Sequence, residues 1–371
     1  MKSGDNTYIW SAEDWPQWRY DLAALTDLVA QVSHAQGLLA GRLHDAGLGS
    51  RDQASLAALT DDVLKTSEIE GEQLDVASVR SSIARRLGVD IGALAPVDRQ
   101  IEGVVDMVLD ATGNSAQALT AERVFAWHAA LFPTGFNGLT RIRVGAWRDD
   151  AAGPMEVVSG PAHRPRVHFR APPAAQLKRE TARFFKWANA EAAEPALIKA
   201  GLAHLWFVTL HPFDDGNGRI ARAVGDLFLA RADRSTQRFY SLSAQIQRER
   251  KSYYEILERT QKGTLDVTEW LTWFLSALQR ALVQAQQGLD SVLEKSRFWQ
   301  RWAKTPMNAR QVKLLNRVLD GFEGKLTSSK WAAIAKCSAD TALRDINELV
   351  ALGVLQRAQG GGRSTAYEIV V

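Results

Sequence analysis

A single cysteine, Cys337, stands in 371 residues. One thiol excludes an internal disulfide and a cysteine-built metal cluster, and it reads as a small buried hydrophobe. Long apolar runs are missing too. No window reaches the roughly 18 apolar residues of a membrane span, and MKSGDNTYIW has no apolar stretch followed by a small-residue cleavage site. The expectation is a cytoplasmic protein with no membrane partner. Internal repeats and low-complexity tracts are absent. The histidines His34, His44, His128, His163, His168 and His204 fall at no metal-ligand spacing and read as structural or exposed.

The charge balance is nearly neutral at +3, but it is unevenly spread. Residues 295–371 hold 13 Lys+Arg against 6 Asp+Glu, which leaves 32 against 36 for the rest. A basic C-terminal module of this kind points to an acidic partner such as nucleic acid.

What the sequence has in abundance is helical periodicity. EDWPQWRYDLAALTDLVAQVSHAQGLLAGRL, DDVLKTSEIEGEQL, PVDRQIEGVVDMVLDA, AAQLKRETARFFKWANA, PALIKAGLAHLWFVTL and GRIARAVGDLFLARA space apolar residues by three and four, which predicts a mainly α body. The pattern breaks at Gly88-Val89, at Thr112-Gly113-Asn114 and from Gly135 to Pro173. Inside the last break, Met155 to Ser159 and Pro165 to Arg170 read as two short strands joined by GPAH. After a helix from about Thr268 to Leu293 the character changes. TSSKWAAIAKCSADTALRDINELVALG reads as helix, turn, helix, and GVLQRAQGGGRSTAYEIVV as two strands around a glycine-rich tip.

The densest chemistry is in HPFDDGNGRIAR, residues 211–222. Two glycines opening a helix let consecutive N–H groups converge on one point, where the helix dipole also favours phosphate. Arg219 and Arg222 are i and i+3 on one face, with forks suited to phosphate oxygens. Asp215 is a lone carboxylate beside that nest, a common way of holding Mg²⁺ against substrate phosphates. His211 can take a proton from a hydroxyl brought to the same place. Phe213 reads as an anchor for the loop.

This stretch resembles the Fic family signature H-x-F-x-(D/E)-G-N-G-R-x-x-R, and every defined position is present. The resemblance implies a helical Fic core over roughly residues 95–290 that transfers AMP from ATP, with Mg²⁺, to a Ser, Thr or Tyr hydroxyl of a protein, this one included. It assigns His211 as base, Asp215 as Mg²⁺ ligand, Gly216, Asn217 and Gly218 as phosphate nest, and Arg219 and Arg222 as phosphate clamps. MEVVSG with RPRVHFRAPP then stands where the family has its flap, which covers the nucleotide and offers a strand edge to the target, so Val157, Val158 and Ser159 would lie near the nucleotide. KSYYEILERTQKG resembles the helix beside the adenosine. Tyr253, Tyr254 and Gln261 are therefore base-pocket candidates, with ordinary core packing as the alternative for the tyrosines.

Upstream, KTSEIEGEQL places Gly71 in a helical run, which suggests a bend or a close backbone approach. Thr66 and Glu70 are i and i+4 on one face. The pattern matches the Fic inhibitory motif (S/T)-x-x-x-E-(G/N), in an inhibitory helix at about residues 60–75. The resemblance implies a brake in which Glu70 pairs bidentately with Arg222 and takes the place of the γ-phosphate. The opposite reading leaves Glu68, Glu70 and Glu72 in water. In some family members the same glutamate serves removal of AMP, which stays open here, as does transfer of another phosphate-containing group.

The expected organisation is an N-terminal helical region over residues 1–90, a catalytic domain over 91–294 and a C-terminal domain over 295–371 that resembles the winged helices of bacterial regulators. On that last domain Thr341, Arg344, Arg357 and Arg363 are candidate DNA contacts, with dimerisation or target docking as alternatives and a nucleotide-sensing regulator as the competing whole-protein reading. Trp10, Trp15 and Trp18 read as packing residues.

Overall fold

The computed structural model describes residues 8–160, 164–191, 193–319, 324–358 and 365–370. The fold is mainly helical and forms two compact units, Met1–Asp45 with Arg51–Ala285, and Ala46–Ser50 with Gln286–Val371. In chain order the helices are α1 (Leu22–Asp45), α2 (Leu48–Ile69), α3 (Val76–Leu87), α4 (Arg99–Gly113) and α5 (Ala121–Leu131). A two-residue hairpin, β1 (Phe136–Asn137) with β2 (Thr140–Arg141), precedes the antiparallel pair β3 (Glu156–Ser159) and β4 (Arg166–Arg170). Then come α6 (Ala174–Asn189), α7 (Ala196–Leu210), α8 (Asn217–Asp233), α9 (Leu242–Arg248), α10 (Arg250–Gln261) and α11 (Thr268–Arg301).

Local signals account for many of the helix starts. Asp75, Asp98, Thr120 and Ser241 each accept a backbone N–H three residues on, satisfying one of the donors every helix start leaves open. α7 is the centre of the first unit: every residue from Leu197 to Leu210 is buried, as expected of a helix apolar all round. A Cβ on Gly201 would meet Leu271 at 2.8 Å, so the missing side chain is what lets α11 lie close against α7. α8 packs along α7 and is buried from Arg219 to Ala230.

Two sequence expectations are corrected here. The stretch EDWPQWRYD is not helical. A short 3₁₀ turn at Ile9–Ser11 is followed by turns, and α1 starts only at Leu22, while Trp15, Trp18 and Trp206 pack edge to face. The helix predicted to run through KTSEIEGEQL stops at Ile69. Gly71 has φ 87, a left-handed conformation that suits glycine, and around it Gly71 N–H donates to the Glu68 carbonyl while Glu72 N–H donates to that of Ser67. This pair of bonds is a Schellman cap, and it ends the helix because the chain has turned across its last carbonyls.

In the second unit α12 (Ala309–Leu319), β5 (Leu326–Thr327), α13 (Ser328–Ala335), α14 (Ala339–Ala351), β6 (Leu355–Arg357) and β7 (Ala366–Ile369) surround Trp331, Leu315, Ile346, Leu349 and Val354. Its sheet is antiparallel in the order β5-β7-β6, and β7 pairs with both neighbours. The helix, turn, helix, hairpin order was legible. α12 and the edge strand β5 were not. Among the described residues no helix is long and apolar enough to cross a membrane.

Candidate active site

The loop between α7 and α8 is held open by its own side chains. α7 ends at His211, which takes the left-handed region at φ 45, ψ 56, an unfavourable place for a residue with a Cβ. Phe213 is fully buried and stacks on His128, with ring centroids 4.1 Å apart. The Asn217 carboxamide turns back into the loop, accepting from Phe213 N–H at 2.9 Å and donating to the Phe213 carbonyl at 2.8 Å. What Asn217 offers a ligand is therefore its backbone, and its side chain fixes the shape of the turn. Gly216 has φ 78 at the start of α8, and a Cβ there would meet the Phe132 ring at 3.0 Å.

His128, read from the sequence as structural, braces the loop. Gly145 N–H donates to its Nδ1 at 3.2 Å and its Nε2 donates to the Asp215 carbonyl at 3.2 Å. Those two backbone partners fix the neutral tautomer with the proton on Nε2, and burial lowers its pKa to about 4. Arg148, which sequence reasoning missed, is 3% exposed and donates from Nε to the His211 carbonyl at 2.8 Å.

His211 donates from Nδ1 to the Val208 carbonyl at 2.8 Å, which leaves Nε2 as the acceptor. Burial above all pulls its pKa below the ordinary value, the Val208 bond works against this, and Arg148 adds to the depression. A neutral imidazole with a bare Nε2 is a general base at neutral pH. Asp215 accepts from Asn137 Nδ2 and from Gly216 N–H, each at 2.5 Å. Both are uncharged donors, and the carboxylate has further lone pairs to offer a cation.

Glu70 and Glu72 sit on the two arginines. Glu70 Oε1 lies 2.7 Å from Arg222 Nη2. A Cβ on Gly218 would come within 2.3 Å of the same oxygen, so a carboxylate rests on the first turn of α8, where helix N–H groups attract an anion. The pair is not the expected bidentate fork. Thr66 also accepts from Arg222, its hydroxyl from Nε at 2.8 Å and its carbonyl from Nη2 at 2.9 Å. Glu72, given no role from the sequence beyond the alternative of facing water, holds Arg219 at 2.8 Å. Arg219 is 2% exposed, its guanidinium lies over the Phe132 ring at 5.2 Å, and its Nε is buried without a partner.

A cavity of about 690 Å³, within the range of small-molecule sites, is lined by Glu70, His211, Asp215, Gly216, Asn217, Gly218 and Arg222. Val157, Val158 and Ser159 of β3 and Tyr253, Tyr254 and Gln261 of α10 line it as well. Thr66, Gly71 and Arg219 are not among its lining residues. Within the lining, Tyr253 is buried with its hydroxyl 2.9 Å from His204 Nε2, Gln261 donates to the Thr209 hydroxyl at 3.2 Å, and Tyr254 and Val158 are exposed. His168 and Glu258 also line the cavity; the sequence reading gave His168 no function and did not single out Glu258.

The loop, its glycine cradle and its paired arginines now stand together. Residues 118–229 match the Fic/DOC family. Residues 8–89 match a domain of unknown function (DUF4172). The chain is similar to the crystal structure of a Fic family protein from Desulfovibrio desulfuricans, at 20% identity over 94% of this chain and 96% of that one, with a TM-score of 0.53. It is also similar to a Fic domain containing signaling protein from Bacteroides thetaiotaomicron, at 17% identity over 71% of this chain and 97% of that one, with a TM-score of 0.50. At these identities the likeness is one of fold, and the fold is of the Fic type.

In the second unit Thr341 lies in the first turn of α14, where Ser338 Oγ accepts its N–H at 3.2 Å. Arg344 borders a shallow surface hollow with Leu343 and Asn347, and Arg357 is exposed on β6. Arg363 lies outside the described residues.

Proposed function

We propose that this protein is an autoinhibited protein adenylyltransferase, moving AMP from Mg-ATP to a Ser, Thr or Tyr hydroxyl of a protein. The Fic family includes enzymes of this kind. In this reading the phosphates lie on Gly216–Gly218 and the start of α8, and the flap β3–β4 covers the nucleotide. The acceptor hydroxyl gives its proton to His211 Nε2 as its oxygen attacks the α-phosphorus, and pyrophosphate leaves. Asp215 is the residue that would hold Mg²⁺, which neutralises charge on the phosphates. The fit rests on the absence of side chains at Gly216 and Gly218, whose Cβ positions are taken up by Phe132 and Glu70.

The observation that carries the autoinhibited form is the Glu70 carboxylate, 2.7 Å from Arg222 and over Gly218. It holds the position an anionic phosphate needs and adds like charge beside it. Glu72 extends the brake to Arg219. The test incubates wild type, Glu70→Gly and Glu70→Gly/His211→Ala with Mg²⁺, [α-³²P]ATP and a mixture of soluble bacterial proteins. Label on the added proteins with Glu70→Gly alone is expected; no label with any variant, although ATP binds, sinks the reading.

For residues 295–371 the reading is a winged helix, with α13–α14 as the helix-turn-helix and β6–β7 as the wing, supported by the element order and the basic excess of the same residues. Thr341, Arg344, Arg357 and Arg363 are then candidates to meet DNA. Affinity for duplex DNA that falls steeply with salt is the expected result. Binding that ignores salt, or none, leaves dimerisation or target docking as the role of this unit.

A further inference from the structure

The flap contains a serine, a histidine and a carboxylate in series. Val157 pairs with Phe169 and Val158 with Val167, so His168 is an extra residue in β4. A bulge of this kind re-aims the side chain it carries. His168 Nε2 lies 2.6 Å from Ser159 Oγ, and its Nδ1 lies 2.6 Å from Glu258 Oε2 on α10. Glu258 also accepts from Lys262 Nζ at 2.7 Å. Partial burial raises the pKa of this carboxyl, but the bonds from Lys262 and His168 outweigh it and hold the pKa down to about 2. An ionised Glu258 must accept from Nδ1–H, which leaves Nε2 to accept from the Ser159 hydroxyl. This is the arrangement of a hydroxyl activated by an adjacent base that a third group orients.

The three residues line the same cavity as His211 and Gly216–Gly218. The Phe169 ring, next to His168 in β4, is 6.4 Å from the His211 ring. Ser159 stands two residues beyond Val157, the partner of Phe169, or about 7 Å along the strand. We propose that Ser159 is itself a nucleotide acceptor, with His168 as its base and Glu258 as the positioning residue, so that the protein adenylylates its own flap. The proposal rests on the AMP-transfer reading above. The Ser159 oxygen forms a bond to the α-phosphorus of ATP, the bond from that phosphorus to the bridging oxygen of the β-phosphate breaks, and pyrophosphate departs with the electron pair. The serine proton passes to His168 Nε2, where Glu258 balances the imidazolium.

The two routes differ in their base, which makes them separable. Full-length Glu70→Gly is incubated with Mg²⁺ and [α-³²P]ATP, its own label is mapped by peptide mass spectrometry, and transfer to added proteins is read in parallel. The AMP increment is expected on the peptide holding Ser159. It should fall at least tenfold with Ser159→Ala and with His168→Asn, fall with Glu258→Gln, and persist when His211→Ala has removed transfer to added proteins. ATP affinity measured on the same variants should not change, as it would if His168 and Glu258 only latched the flap. Self-label on another residue, or self-label lost with His211→Ala and kept with His168→Asn, overturns the Ser159 route and leaves the enzyme assignment standing. No label on any protein overturns both.

Discussion

Removing Glu70 alone should leave the brake half applied, because Arg219 is still held by Glu72 at 2.8 Å. The magnitude follows from the geometry. A hydrogen bond between charged groups contributes about 1.5–3 kcal/mol, and these carboxylates are 32% and 23% exposed, so the lower half of that range applies. About 1.5–2 kcal/mol per pair corresponds to roughly 10–30-fold in the affinity of a phosphate competing for the same arginine. Thr66 continues to bond Arg222 once Glu70 is gone, so the bared guanidinium is not stranded. The pairs are close in space, so their effects need not add. The assay is calorimetric titration with Mg-ATP in a Ser159→Ala/His211→Ala background, which stops both transfer routes. Glu70→Gly should tighten binding about 10–30-fold, Glu72→Ala by a smaller factor, and the double variant by on the order of 100-fold. If the double variant binds no tighter than Glu70→Gly, Glu72 does not compete with the nucleotide. If neither single variant tightens binding, the carboxylates do not occupy phosphate positions at all.

The remaining predictions concern the supports of the site. Gly71→Ala forces a Cβ into a left-handed conformation at φ 87, at a cost of about 1–2 kcal/mol, and the loosened cap should raise AMP transfer several-fold without touching a ligand-facing residue. Unchanged transfer with a lowered melting temperature would mean that the cap matters only for stability. His128 is neutral in the fold, with its pKa down from 6.5 to about 4, so its contribution is intact above pH 6.5 and is lost as pH falls toward 4. The unfolded chain takes up a proton in that window and the folded one does not, which removes on the order of 3 kcal/mol. Denaturant titrations between pH 7 and 4 should show this slope for wild type and a flatter one for His128→Gln; equal slopes would refute it. Arg148→Lys keeps the charge but not the fork that reaches His211, Pro172 and Asp150, so AMP transfer should drop on the order of 100-fold with ATP affinity kept.

What the sequence showed of this site is what is local in the chain. Residues 211–222 make most of their own geometry: Asn217 closes the loop onto Phe213, four positions away, and Gly216 supplies the left-handed residue that starts α8. Gly71 was readable as a break in a helix, although the break is its end and not a bend. The partners of the brake are of another kind. Glu72 meets Arg219 across 147 positions, and neither residue carries a pattern that names the other. A carboxylate two places beyond the inhibitory glutamate was the available signal, and the Schellman turn gave it meaning by bringing alternate residues round to the same helix. His168 was hidden for a related reason. Strict alternation along β4 mis-assigns its side chain, and only the bulge opposite Val157 and Val158, with Glu258 90 positions away, shows what it faces.

The helix that leads into the proposed brake is also held at a point away from the arginines. Along α2, Asp62 and Thr66 are spaced by one turn, and Glu70 follows at the same interval just past its end. Asp62 accepts from the Ser241 hydroxyl at 2.5 Å and from Ser243 N–H at 3.3 Å, while Thr66 and Glu70 meet Arg222. On α8, Asp226 lies one turn after Arg222 and is bonded to Arg238, while burial, and then the charge of Asp62, push its pKa up. Buried polar pairs of this sort set register more than they add stability, because any slip leaves a charge without its partner. On the proposed reading, the carboxylates of Glu70 and Glu72 would give way to a nucleotide by changing rotamer while α2 stays in place. The whole helix leaves only if the Asp62 contacts are lost with it. A substitution at Glu70 and one at Asp62 should accordingly differ in kind: the first frees the arginines within an intact fold, and the second unseats α2 and lowers the melting temperature as it does so.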